Sequence, residues 1–222
     1  MNIKPAILPH SFEEITEKLS RIEGVVSSVQ IDICDGVFGR EKTWLPSGTE
    51  VLPTGFTYEF DVMVNDWKVY IPNCISLGVT SIVAHVDMFT DEDIATLVGM
   101  VASHSISLGI AVSNDKNIDF HADMFRKVRE LYPHVFIQVM GILNIGEQGQ
   151  LFDENVPARV KAIKQIFGDV SVQVDGGITP ETAKLVINDG ADTVVVGSYI
   201  FGRDDAGEAL ERLNAAVGVK MI

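Results

Sequence analysis

Basic residues are in short supply: 17 Lys and Arg stand against 31 Asp and Glu in 222 residues, a formal charge of −14. A surface built for nucleic acid or an anionic bilayer gains affinity by releasing counterions against clustered Lys and Arg, so this balance argues against both partners. Any anionic ligand must be met by local groups instead. Cysteine is scarcer still. Cys34 and Cys74 are the only two, too few for a disulfide framework and not spaced as Cys-x-x-Cys, and both read as reduced thiols of a cytoplasmic protein. No apolar run reaches the ~18 residues of a membrane span. The apolar stretch near the N-terminus is too short, and too soon followed by acidic residues, for a secretory signal. No Gly-x-Gly-x-x-Gly follows the first strand-like run and no Gly-x-Ser-x-Gly elbow occurs, which counts against an open dinucleotide-binding sheet and against hydrolase chemistry of the elbow type.

What the chain does have is an ordinary globular composition, 46% hydrophobic and 22% charged, at a length that suits one α/β barrel domain spanning residues 1–222. Short β-branched runs alternate with amphipathic stretches. Strands are predicted at Ile3–Leu8, Val29–Cys34, Tyr58–Val64, Ser81–Val86, Leu108–Val112, Val135–Met140, Ser171–Val174 and Thr193–Val196. Helical periodicity occupies Phe12–Ile22, Trp67–Leu77, Asp91–His104, Phe120–Leu131, Val156–Phe167, Thr182–Asp189 and Glu208–Ala216. Thr90 with Asp93, and Thr179 ahead of Pro180, are start signals. Gly78 and Gly190 each end a helix and lead into a nearly all-apolar strand, the mark of a parallel strand covered on both faces. Eight strands, seven visible helices and no break in composition predict a (β/α)8 TIM-type barrel.

In such a barrel the active site lies at the C-terminal ends of the strands. The second strand reads Gln30-Ile31-Asp32-Ile33-Cys34, and a period of two puts Gln30, Asp32 and Cys34 on one face. Glu59, Asp61 and Met63 share a face of the third strand, His85 and Asp87 end the fourth, and Gln173 and Asp175 share a face of the seventh. Carboxylates gathered in a barrel mouth need a cation or a shared proton. Asp32, Asp61 and Asp175 therefore form a candidate metal or acid/base cluster, the alternative being that each caps a loop at the rim. His85 reads as a hydrogen-bonded core histidine, Cys34 as a small buried hydrophobe, Met63 and Met140 as core with a polarisable face toward the site, and Arg40 and Lys42 as a solvated loop.

A second signal concerns an anion. Gly176 and Gly177 join the seventh strand to a helix start, and Gly197-Ser198 ends the eighth. Glycines admit close approach of backbone N–H groups, and these two loops are the usual phosphate grip of the fold. Gly146, Gln148 and Gly149, after the sixth strand, can close over the same group. Amides in place of lysines answer the shortage of positive charge.

Pro5-Ala6-Ile7-Leu8, Ile31-Asp32-Ile33-Cys34-Asp35-Gly36, Phe60-Asp61-Val62-Met63-Val64, Gly149-Gln150-Leu151-Phe152, Val174-Asp175-Gly176-Gly177 and Val196-Gly197-Ser198 together resemble the ribulose-phosphate 3-epimerase family, nearly end to end. The resemblance implies a TIM-type barrel acting on pentose phosphates, with Asp32 and Asp175 as the acid/base pair and as ligands of a divalent metal. It implies that Asp61 and Gln30 occupy the two remaining metal positions, where the family normally carries histidine. Ala6 stands at the family's serine, Cys34 at its methionine, and Ile145-Gly146-Glu147 replaces its Pro-Gly-Phe loop. Oxygen donors in place of imidazole favour manganese, magnesium or iron over zinc. The expected partner is a phosphorylated sugar, most directly ribulose 5-phosphate, and homo-oligomers are typical of the family. The alternatives are a related phosphosugar barrel enzyme with another reaction, against which stands the lack of a lysine in Asp32-Ile33-Cys34-Asp35, and a silent phosphosugar-binding barrel that has lost its metal.

Overall fold

A computed structural model of the chain describes residues 2–85, 89–114 and 118–218; Asp87, expected at the end of the fourth strand, and the side chain of His121 lie outside the described residues. The strands are β1 (Asn2–Ile7), β2 (Ser28–Cys34), β3 (Thr57–Met63), β4 (Ser81–His85), β5 (Ser107–Val112), β6 (Val135–Met140), β7 (Val172–Asp175) and β8 (Thr193–Val196). The helices are α1 (Phe12–Ser20), α2 (Trp67–Ser76), α3 (Asp91–Ala102), α4 (Ile118–Leu131), α5 (Val156–Phe167), α6 (Pro180–Asn188), α7 (Ser198–Phe201) and α8 (Ala206–Val217). Each strand pairs in parallel with the next, and β8 closes on β1. This is the (β/α)8 barrel read from the alternation.

The local chemistry explains the elements. Thr90 and Asp93 form a reciprocal capping box at α3, and Thr179 does the same with Thr182 at α6, each satisfying N–H groups that a helix start leaves open. Gly78 and Gly190 take positive φ just beyond α2 and α6, a conformation that costs glycine little. No helix occupies the Gly/Pro-rich stretch between β2 and β3; its one bridge joins Asp35 to Lys42. Strand ends move by a residue at Leu8, Val64 and Ser171. The four-residue α7 was not foreseen, because one turn is too short to display a 3.6-residue period.

Two faces of the strands serve two purposes. Ile31 and Ile33 of β2 and Phe60 and Val62 of β3 point outward into the apolar layer between sheet and helices. The alternate residues fill the barrel. Across β2 and β3 the register sets Gln30 beside Glu59, Asp32 beside Asp61 and Cys34 beside Met63; across β6 and β7 it sets Gln138 beside Gln173 and Met140 beside Asp175. One glycine makes room for this filling. A Cβ on Gly109 would lie 2.5 Å from the Phe136 ring and 2.8 Å from Val83. Gly109→Ala is therefore expected to destabilise the fold by about 1–3 kcal/mol through overpacking, read as a lower urea midpoint. An unchanged midpoint would show that the ring yields freely.

Candidate active site

At the C-terminal ends of the strands, β2, β3 and β7 bring Asp32, Asp61 and Asp175 together, with one oxygen of each within 4.8 Å of the others. Asp61 is wholly enclosed and Asp32 almost so, while Asp175 remains partly open to the mouth. Amides bind the three. Gln30 donates through Nε2 to Asp32 Oδ1 at 2.8 Å and to Asp175 Oδ2 at 2.9 Å. Gln138 donates through Nε2 to Asp61 Oδ2 at 2.7 Å. The other oxygen of Asp61 lies 2.8 Å from His85 Nε2, so His85 is the hydrogen-bonded core histidine expected. Burial, followed by the nearby Asp175 and Asp61 carboxylates, holds Asp32 well above the usual carboxylate range. Burial, and then the Asp61 carboxylate, pushes Asp175 up to about 7. Such a pair can exchange a proton near neutrality.

The same three carboxylates form a buried acidic cluster able to hold a divalent metal, and their donors are hard oxygens. Gln30 faces them with its N–H group, its Oε1 lying 3.5 Å from Gln173 Nε2, so in this arrangement it steers carboxylates and offers no ligand atom.

Above the cluster a cavity opens at the barrel mouth, and it gathers the residues expected to line it: Met63, Gly146, Gln148, Gly149, Gly176, Gly177, Gly197 and Ser198, with Asp32 and Asp175 at its base. Gly177 has a positive φ, and a Cβ there would sit 2.8 Å from the Phe152 backbone, so the β7 loop packs against the loop leading to α5. The backbone N–H groups of Gly177 and Ser198 donate to no acceptor among the described residues, leaving them available to an anion. The side chain of Gln148 lies over Gly197, its Nε2 being 2.7 Å from where a Cβ would stand. Gln150 folds this loop on itself through Asn144 and Glu147. The β2–β3 loop is stitched to it by Arg40 N to Ile145 O at 3.2 Å and Glu41 N to Gly146 O at 3.1 Å. Glu147 faces Arg40 at 3.6 Å. Cys34 lies buried beneath both loops in contact with Leu8 and Met63, as a small hydrophobe should.

Sequence reasoning overlooked Gln138 and Lys4. Counting back by two from the inward Met140 and Ala6 would have found both.

A family model described as the ribulose-phosphate 3 epimerase family matches residues 2–201, a span that includes every residue of this site. The chain belongs to that family. Membership makes it a carbohydrate epimerase by class. Among curated relatives, a ribulose-phosphate 3-epimerase of Bacillus subtilis is 22% identical, covering 97% of this chain and 99% of its own. One of Rhodobacter capsulatus is 26% identical, over 90% of this chain and 86% of its own. Among solved structures, a 3-hexulose-6-phosphate synthase superposes with a TM-score of 0.71 at 20% identity, covering 98% of this chain and 100% of its own. An orotidine 5'-monophosphate decarboxylase from Sulfolobus solfataricus gives 0.67 at 14%, over 98% and 97%. These structural likenesses concern the fold alone.

The raised carboxylates of this family member make stability depend on pH. A folded state that binds more protons than the unfolded chain loses stability as pH rises, here between the ordinary aspartate value near 4 and about 7. In metal-free buffer the protein should therefore weaken across that window and level off above it. Asp175→Asn should gain on the order of 4 kcal/mol over wild type at pH 8 and little at pH 4, at roughly 1.4 kcal/mol per pKa unit. Parallel urea curves at the two pH values check this; equal differences at both would refute it.

Proposed function

We propose that this chain epimerises a ketose phosphate, most directly D-ribulose 5-phosphate to D-xylulose 5-phosphate, with Asp32 and Asp175 as the two proton carriers. The observation that carries the reading is the meeting of two carboxylates of raised proton affinity at the base of one cavity whose rim supplies backbone N–H groups unengaged among the described residues at Gly177 and Ser198.

Inverting a carbon next to a ketone requires a base on one face of the substrate and an acid on the other. One of the pair, ionised, removes the C3 proton; the other, protonated, returns a proton to the opposite face of the enediolate, and the roles exchange in the reverse direction. Gln30 donates to both carboxylates and holds their separation as the proton moves. Asp32, Asp61 and Asp175 would hold a divalent cation, which would supply Lewis-acid stabilisation of the charge that develops on the substrate oxygens; their all-oxygen donors favour manganese, magnesium or iron over zinc. Gln30 joins as a fourth ligand only if its amide turns over to present Oε1. The phosphate is gripped by the loops of Gly176, Gly177, Gly197 and Ser198, with Gly146, Gln148 and Gly149 closing over it. Arg40, engaged with Glu147, is left out of that grip. Met63 and Met140 floor the cavity with polarisable sulfur.

Ribulose 5-phosphate incubated in deuterated water with manganese should acquire deuterium at C3, and Asp32→Asn or Asp175→Asn should each lower kcat by about 10²–10⁴-fold with little change in KM. Wild-type protein that incorporates no deuterium at high concentration overturns the assignment.

Manganese binding should also register without turnover. At one hundred times its Kd, the ion should raise wild-type stability by about 2.7 kcal/mol, and Asp61→Asn should abolish most of that gain. An Asp61→Asn protein stabilised as much as wild type would move the ion elsewhere.

A further inference from the structure

The floor of the barrel, remote from the mouth cavity, holds an ion pair between a partly buried lysine and a buried glutamate that the reaction above does not use. Lys4 Nζ lies 2.7 Å from Glu59 Oε1 and donates to Gln173 Oε1 at 3.2 Å, while Glu59 Oε2 accepts from Ser81 at 2.7 Å. Lys4, Glu59 and Gln173 line none of the mouth cavity.

The amides above them form a chain whose direction follows from this pair. An ammonium only donates and an ionised carboxylate only accepts. Gln173, set between the two, has one orientation that satisfies both: Oε1 toward Lys4 and Nε2 toward Glu59 Oε1 at 2.9 Å. The same Nε2 donates to Gln138 Oε1 at 2.6 Å and approaches Gln30 Oε1 at 3.5 Å. With their oxygens turned downward, Gln138 and Gln30 are left to present N–H groups upward, and these meet Asp61 at 2.7 Å, Asp32 at 2.8 Å and Asp175 at 2.9 Å. Reversing Gln173 would reverse the others and set amide lone pairs against carboxylate oxygens.

We propose that Lys4 is a positioning residue: its donor-only ammonium, through Gln173, sets the hydrogen-bond direction of Gln138 and Gln30, so that each carboxylate of the site receives an amide N–H. The proposal deepens the epimerase reading and rests on it for its kinetic consequences. The relay itself is testable without turnover.

In protein labelled with 15N at glutamine side chains, the amide hydrogens of Gln30 and Gln138 should exchange slowly with solvent in wild type; rapid exchange there overturns the proposal. Lys4→Met alone strands Glu59 as an unpaired buried charge and risks unfolding, so Lys4→Met/Glu59→Leu, which removes both charges, is the main variant. It should fold, lose amide protection at least tenfold at Gln30 and Gln138, and lower kcat at least tenfold with KM within twofold. Gln173→Leu should match it, and combining the changes should add nothing further. Lys4→Arg, which keeps the donor, should retain protection and most of kcat. A folded Lys4→Met/Glu59→Leu protein with wild-type protection and kcat refutes the relay. Protection that depends on Lys4 in a wild-type protein that turns over no ketose phosphate would sustain the relay and refute the epimerase reading.

Discussion

Closing eight parallel strands into a barrel forces every second side chain into a space that water scarcely enters, and here four of those side chains are carboxylates: Asp32, Glu59, Asp61 and Asp175. Among the described residues Lys4 is the only Lys or Arg facing them. A carboxylate taken out of water without compensation is costly enough that it takes up a proton, finds a cation or is wrapped in donors. All three remedies are visible or implied. Burial raises the proton affinity of Asp32 and Asp175, amides wrap the whole group, and the trio at the mouth has the composition of a divalent metal site. The chemistry of the site is the unpaid remainder of the charge that the fold encloses.

The two ends of the barrel deal with that charge differently. At the floor, Glu59 is matched by Lys4 and by the Ser81 hydroxyl, a locally complete arrangement that needs nothing from outside. At the mouth, the side-chain hydrogen-bond partners of Asp32, Asp61 and Asp175 among the described residues are neutral amides and His85, so no Lys or Arg described there balances their charge. The interior is least self-sufficient at the end where barrels of this class place function. The floor nonetheless shapes the mouth, since an amide passes on the direction of its hydrogen bonds.

The strands and their inward carboxylates could be read from sequence because the signals are local: a period of two along Gln30-Ile31-Asp32-Ile33-Cys34 is complete within five residues. The glycine-rich loops that border the cavity were likewise readable from Gly176, Gly177 and Gly197. What resisted was what depends on register. Gln138 and Lys4 look like single polar intrusions in apolar runs, and their meaning comes from partners distant in sequence: Gln173 for Lys4, and for Gln138 Asp61 on β3 with Asp175 and Gln173 on β7. The orientation of the Gln30 amide is of the same kind: the sequence supplies a side chain that can present either end, and the barrel around it selects one.

The residues in which this chain departs from its family's usual pattern fit one another. Cys34 is smaller than the methionine usual there, and two glycines descend onto it: a Cβ on Gly39 or Gly146 would come within 2.8 Å or 2.7 Å of its sulfur. That descent brings Arg40 and Glu41 within hydrogen-bonding distance of Ile145 and Gly146, tying together the two loops that border the cavity. Gln30 and Asp61, standing where imidazoles are usual, bond to the other members of the cluster, and among the described residues no buried polar atom of Gln30, Asp61, Gln138 or Gln173 lacks a partner. The carboxylate cluster is thus closed on its inner side and open toward the mouth, where Glu147 Oε2, buried in the wall of the cavity, has no hydrogen-bond partner among the described residues.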